Sequence, residues 1–273
     1  MDVTEMIVKD EAFTKESFKL EKDKLEVLAT KPKPKDLTKY YEFEDYISHK
    51  ENSNSLVDII YDLVKSLMFN TKLKILKSNQ PDIKSVLDYG CGTGEFASYL
   101  SKKGIRSSGV EPTKKAFDQA NKAGVKLYKD LNKAEGTFDA ITLFHVLEHV
   151  EDYIKVLRDL KSKLNPGGLL VIAVPNYKSY DACYYKEKWA AWDVPRHLWH
   201  FKRQDFSSIA ELLNLKLVHV KPMRFDAYYI SMISESYKGN HKLKGVYRGW
   251  KSNRKAKKTG EYSSNIFVME ASK

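Results

Sequence analysis

"SVLDYGCGTGEFASYL", residues 85–100, runs from an apolar stretch into three glycines at alternate positions, Gly90, Gly92 and Gly94, and then into an amphipathic pattern. A short apolar run bounded by glycine reads as a buried strand, and the pattern after it reads as a helix. The loop between them is rich in the one residue that lets the backbone turn left-handed and lets a ligand come close to the main chain. Dinucleotides, nucleoside triphosphates and sulfonium nucleosides all use such loops.

Around this stretch, strands and helices alternate. "KSVLDY" (84–89), "IRSSGVE" (105–111), "VKLYKD" (125–130), "FDAITLF" (138–144) and "LLVIAVPN" (169–176) read as strands. "EFASYLSKKG" (95–104), "PTKKAFDQANKAG" (112–124) and "HVEDYIKVLRDLKSKL" (149–164) read as helices, with "NPGG" (165–168) as a turn. That alternation predicts an α/β fold with a parallel sheet covered on both faces. Ligands of such sheets lie beyond the carboxyl ends of the strands, which directs attention to Asp88–Gly94, Glu111, Asp130, Phe144–His149 and Pro175–Tyr177.

The loop lacks the Gly-Lys-Ser/Thr ending of a Walker loop, which argues against a nucleoside triphosphatase. Glu95 stands where a dinucleotide fingerprint has its third glycine, and it occupies the positive end of the helix that would attract a pyrophosphate. Asp88 adds a second negative charge at the strand exit. S-adenosylmethionine, with a cationic sulfonium and ammonium and no phosphate, fits these groups. Glu111, at the end of the second strand, has two oxygens to accept the ribose hydroxyls.

"VLDYGCGTGEF", "GVEP", "FDAITLFHVLEHVED" and "LNPGGLLVIAVPN", in this order, resemble class I S-adenosylmethionine-dependent methyltransferases. The resemblance is to the branch that contains the ubiquinone-biosynthesis O-methyltransferase, strongly over about residues 84–176. It is weaker beyond, where "LKLVHVKP" and "NIFVMEAS" match the family's last two strands. It implies a Rossmann-like, doubly wound, seven-stranded and mostly parallel sheet. It also implies that Asp88, Gly90, Cys91, Gly92 and Gly94 approach the methionine part of the cofactor and that Glu111 and Pro112 sit at the ribose. Asp130 and Leu131 would flank adenine, and Phe144 and His145 would lie beside the transferable methyl. Some relatives bind a metal through Glu-x-x-Glu-His. Here Glu148 and His149 match the final pair but His145 replaces the first Glu, so no metal is expected, with His145, Glu148 and His149 as the candidates if one binds.

"KWAAWDVPRHLWHF", 188–201, holds three of the four tryptophans and is expected to cover the acceptor pocket, with Arg196, His197 and His200 as catalytic candidates beside His145. Arg196 suits an anionic group and a histidine suits the proton of a hydroxyl. An aromatic cover packed on the sheet edge, with Arg196 paired to Asp193, is the alternative. Tyr41, Tyr46 and His49 pose the same choice near the N-terminus. A small N-terminal extension over 1–52, with a hairpin in "FKLEKDKLEVLAT", is expected to precede a methyltransferase domain over 53–273. That domain carries a cover at 177–202 and a basic insertion at 223–262.

At 273 residues, with 42% apolar and 12% aromatic residues, the chain can build a sizeable core. No apolar run is long enough to span a membrane, no signal pattern opens the chain, and two cysteines make no disulfide framework, so a reducing cytoplasm is expected. The net charge of +11 is concentrated in residues 238–258, which carry nine Lys or Arg and no acid. That run reads either as a solvated loop or as a grip on RNA. The expected activity is methylation, most simply O-methylation, of a small-molecule or glycan acceptor. An RNA-modifying methyltransferase using 238–258 is the alternative, and a non-enzymatic cofactor-binding scaffold is more distant.

Overall fold

A computed structural model describes residues 3, 6–37, 40, 56–114, 116–118 and 125–272. Tyr41, Tyr46, His49 and the end of the helix expected over 112–124 lie outside them. The chain forms two compact units, one from residues 1–43, 144–156 and 172–269, the other from 44–143, 157–171 and 270–273.

The unit that contains the N-terminus begins with strands β1 (Ile7–Lys9), β2 (Ser17–Lys22) and β3 (Leu28–Lys31), paired antiparallel in succession. In β2 the alternate residues Phe18 and Leu20 are buried, the period of a strand with one face on a core. Asp23 shapes the following turn by accepting from the backbone N–H of Leu25 at 2.8 Å and of Val27 at 3.0 Å. The sheet acquires a fourth strand from far along the chain, where Leu28 pairs with His200 and Ala29 with Trp199.

Trp189, Trp192 and Trp199 are 2%, 1% and 8% exposed, so the segment expected as a cover is core in this unit. Each indole N–H has an acceptor: Asp181 Oδ2 at 2.8 Å, Lys186 O at 2.7 Å and Val150 O at 2.8 Å respectively. Asp181 is itself fully buried and also accepts from Ser252 Oγ at 2.7 Å and Ser263 Oγ at 2.6 Å. Three donors let this carboxylate leave water without an orphaned oxygen.

The other unit holds helix α1 (Leu56–Asn79), strand β4 (Ser85–Tyr89), helix α2 (Glu95–Lys102), and strands β5 (Arg106–Val110) and β6 (Lys126–Tyr128). Strand β7 (Phe138–Phe144), helix α3 (Tyr153–Lys161) and strand β8 (Leu164–Pro175) follow in the chain, with Phe144, residues 153–156 and residues 172–175 counted to the first unit. Strand β4 pairs parallel with β5 and β7, and β5 pairs parallel with β6. The helix expected over 149–164 is shorter, with one 3-10 turn at Leu147–His149 before it. The turn expected at 165–168 is part of β8, with Gly167 at φ +69° and its N–H bonded to Ser272 O at 3.1 Å.

After β8 come helix α4 (Tyr180–Tyr185), strand β9 (Trp199–His200), helix α5 (Asp205–Leu212), strand β10 (Leu215–Pro222), helices α6 (Asp226–Tyr237) and α7 (Leu243–Thr259), and strand β11 (Ser264–Ala271). The main sheet has the order β10-β11-β8-β7-β4-β5-β6. This is the expected seven-stranded Rossmann-like sheet.

The basic run is no loop: most of it is α7, ended by Gly260 at φ +79° as a helix C-cap. Lysine and arginine are good helix formers, and α7 turns glycines toward α6. A Cβ on Gly245 would lie 2.4 Å from Met232 Cα, and one on Gly249 would lie 2.7 Å from Ala227 O. Alanine at either site gains about 1 kcal/mol of helix propensity but overpacks backbone against backbone at about 1–3 kcal/mol. Gly245→Ala and Gly249→Ala are therefore expected to lower stability in urea denaturation, whereas a gain in either would show that α6 and α7 can part without cost.

Candidate active site

Beyond β4 the chain takes three left-handed steps, with Gly90, Gly92 and Gly94 at φ +69°, +53° and +73°. An L side chain pays about 1–2 kcal/mol for each such step. The N–H groups of Gly90 and Cys91 donate to Val110 O at 2.8 and 3.1 Å, which folds the loop onto the end of β5. The approach is close enough that a Cβ on Gly109 would stand 2.4 Å from Cys91 Sγ. Burial, and then the charges of Asp88 and Glu111, push the Cys91 thiol up, so it is no nucleophile.

Glu111 is 6% exposed and accepts from Gly92 N–H through Oε2 and from Thr113 N–H through Oε1, both at 2.9 Å. Asp88, equally buried, accepts from Thr142 Oγ1 at 2.6 Å. Burial pushes the Asp88 carboxyl up to about 6 against the charge of Lys72 and the Thr142 hydrogen bond, and Glu111 adds to the rise. Asp130 begins the 3-10 turn Leu131–Lys133 by accepting from Asn132 N–H at 2.8 Å, and Leu131 is buried there. Pro112 is exposed directly after Glu111. All the expected cofactor residues except Phe144 and His145 thus belong to one unit, at the exits of β4, β5 and β6. Glu95 forms an exposed pair with Lys65 at 2.8 Å.

Phe144 and His145 belong to the other unit. His145 has φ +58°, and its backbone N–H donates to Ala173 O at 2.9 Å. Its ring lies between two carboxylates, Nδ1 at 3.3 Å from Glu148 Oε1 and Nε2 at 3.0 Å from Asp226 Oδ2. Burial opposes its charge, but Asp226 and then Glu148 outweigh it and push the imidazole up to about 10. His145 in this arrangement is a charged donor to two carboxylates, not a proton acceptor.

Arg196, expected as an anion clamp, is 1% exposed and committed to its own chain. Its guanidinium bonds to Asp193, lies 3.8 Å from Asp10 Oδ1, and stacks 4.6 Å over Phe13. Asp193 sits at φ +40°, and although burial opposes its charge, His197 and Arg196 hold its carboxyl below the usual range. His197 donates Nδ1–H to Ala191 O at 2.9 Å, and its Nε2 lies 3.8 Å from Asp193 Oδ2. His200 Nε2 lies 2.9 Å from Thr30 Oγ1, whose proton goes to His197 O at 2.7 Å, so Nε2 carries the hydrogen. Burial, with His197 next, lowers His200 well below the usual imidazole value.

His149 completes the group. Its Nδ1 lies 3.1 Å from Arg196 O, and burial with His197 lowers it to about 4. Glu148, His149 and His197 each offer one ligand atom, all within 4.8 Å of one another. Glu148 Oε2 is buried without a hydrogen-bond partner. Sequence reasoning named Glu148 and His149 but joined them to His145 rather than His197. It also missed Asp226 and Thr142. A threonine within the apolar run "FDAITLF" is a signal for the latter, since a buried hydroxyl requires a partner.

A methyltransferase-domain family matches residues 43–220 of the chain. Among curated proteins, the ubiquinone biosynthesis O-methyltransferase of Actinobacillus pleuropneumoniae is 25% identical over 172 residues, 56% of this chain and 73% of the relative. A cypemycin N-terminal methyltransferase from Streptomyces is 32% identical over 124 residues, 40% of this chain and half of the relative. Among solved structures, magnesium protoporphyrin IX methyltransferase from Synechocystis with bound S-adenosylhomocysteine superposes with a TM-score of 0.53 at 16% identity. That superposition covers 82% of this chain and 90% of that one and is a likeness of fold. The chain belongs to the methyltransferase-domain family and is a class I methyltransferase whose cofactor is S-adenosylmethionine. No described helix is long and apolar enough to cross a membrane.

Asp88 yields a test of the loop's electrostatics. The folded carboxyl titrates near 6 and the unfolded one near 3.8, so in that window the folded state holds more protons. Stability therefore falls as pH rises from about 4 to about 6, by on the order of 3 kcal/mol. Urea titrations of Asp88→Asn across this range are expected to lose that slope, and a slope equal to wild type would remove Asp88 as its source.

Proposed function

We propose that this methyltransferase transfers the S-adenosylmethionine methyl group to a hydroxyl of a small molecule. The observation that supports the cofactor half of the reading is Glu111. Each of its oxygens accepts one backbone N–H and retains a second lone-pair site for a ribose hydroxyl. Gly90, Cys91, Gly92 and Gly94 bring bare main chain to the methionine part, Asp88 faces its ammonium, and Pro112, Asp130 and Leu131 flank the nucleoside. In the reaction, the acceptor oxygen forms a bond to the methyl carbon as the carbon–sulfur bond breaks, and the sulfonium becomes a neutral thioether. The hydroxyl proton must leave, and His197 Nε2 is the group proposed to take it, because the Ala191 carbonyl holds Nδ1 as the donor. A neutral amine needs no such base to attack, which favours oxygen over nitrogen as the atom methylated.

A second reading has its own observation, the buried unpartnered Glu148 Oε2 beside His149 and His197. One carboxylate and two imidazoles fit a divalent transition ion, and these three residues would hold it. When bound, such an ion supplies Lewis acidity that lowers the pKa of a hydroxyl.

Calorimetry is expected to show S-adenosylhomocysteine binding that NAD does not displace. Glu111→Ala is expected to weaken it about 10- to 100-fold, the loss of two hydrogen bonds to a carboxylate. Undiminished affinity in this variant would remove Glu111 from the ribose. With a hydroxyl acceptor found by screening small molecules, a glycan and an RNA, His197→Asn is expected to lower kcat about 10²- to 10⁴-fold with cofactor affinity unchanged. Full turnover after dialysis against a chelator would overturn the metal reading, and turnover on RNA alone would overturn the small-molecule one.

A further inference from the structure

Helix α7 buries Gly245, Gly249, Ser252, Asn253 and Ala256. On the side turned away from them, Leu243 is 69% exposed, Val246 42%, Tyr247 55% and Trp250 45%. Positions 243, 246, 247 and 250 follow the spacing of a single helical stripe, so an amphipathic pattern is present twice, with the larger side chains facing outward. Lys244, Arg248, Lys251 and Lys255 run along the flank of this stripe, and Arg254 continues it with its guanidinium 5.3 Å over Trp250. Residues 238–258 contain no acid to offset them.

We propose that this face of α7 docks the protein on an anionic lipid surface. Aliphatic side chains enter the acyl boundary, an amphipathic tryptophan sits at the headgroups, and Lys244 and Arg254 reach phosphate, with Arg248 4.1 Å over Tyr184 and Lys255 4.1 Å over Tyr180 adding charge behind them. The charge of the flank complements acidic headgroups. RNA is the less suitable occupant. Tyr247 and Trp250 stack on each other with centroids 5.9 Å apart, and Arg254 covers the indole, so their faces are already engaged. The most exposed residue of the stripe, Leu243, has nothing to offer a base or a phosphate. The same helix is far too polar to cross a bilayer, so the attachment is peripheral and reversible.

Trp250 also provides the readout, because the other three tryptophans are buried. Vesicles of equimolar phosphatidylglycerol and phosphatidylcholine are expected to float the 273-residue chain and shift its tryptophan emission to the blue, and pure phosphatidylcholine to do neither. Trp250→Phe is expected to float but lose the shift. Lys244→Gln, Lys251→Gln and Lys255→Gln together are expected to weaken binding about 10- to 100-fold, and Leu243→Ser with Val246→Ser about tenfold. Undiminished S-adenosylhomocysteine binding shows that these variants are folded. Equal flotation on both vesicles, or on neither, would overturn the proposal. So would an emission shift on polyuridylate without one on vesicles. A dimer in sedimentation that the Leu243→Ser, Val246→Ser variant separates would instead assign the face to a second copy of the chain.

Discussion

Glu111 accepts from Gly92 and Thr113 at once, and that pair of hydrogen bonds is the constraint on which the glycine loop rests. A buried carboxylate needs donors, and the nearest are the backbone N–H groups of the glycine loop and of its own turn. Meeting that need fixes the curvature of the loop, which then requires left-handed residues at Gly90, Gly92 and Gly94. It also requires a neighbour without a side chain at Gly109, where Cys91 presses in. The Glu111 carboxylate is thus held in place by the same groups that shape the loop around it. Asp88 is the expensive member of the set, since burial keeps it near the point of protonation while Thr142 and Lys72 stabilise its charge.

The second unit solves the same problem with side chains. Asp181 gathers two serines and a tryptophan, and Asp193 gathers Arg196, so charges are retired into the core rather than displayed. The histidines then sort by environment. His145, between Glu148 and Asp226, holds its proton, while His149 and His200, among aromatic rings and backbone, stay neutral. Three imidazoles of one unit therefore have different chemistry although their unperturbed acidity is identical.

The sheet, its glycine loop and the acidic residues at the strand exits were legible in the sequence because they depend on local patterns: apolar runs, glycine spacing, a carboxylate at a strand end. What escaped depends on distance along the chain. Strand β9 is two residues long and has no periodicity to read, yet it fastens "KWAAWDVPRHLWHF" to the hairpin and turns an expected cover into core. For Arg196 the sequence left an anion clamp and a pair with Asp193 both open, and the structure forms the pair, with Asp193 in a left-handed backbone conformation. Asp226 carries no signal at all until α6 brings it to His145. The basic run reads from its charge as a solvated loop or a grip on RNA, whereas its glycines are where two helix backbones touch.

The bond between Thr30 and His200 joins residues 170 positions apart. On a ribosome, strands β1 to β3 emerge early, and the outer edge of β3 meets its partner β9 only after most of the chain has followed. The stretch from 44 to 143 can meanwhile collapse around its own parallel strands, since its contacts are nearer in sequence. Closing so long a loop costs entropy that grows only slowly with its length, and the bond cannot form until both residues have been made. The unit that carries His145, His149, His197 and His200 consequently joins residues 1–43 to residues 172–269, so neither end of the polypeptide completes it alone.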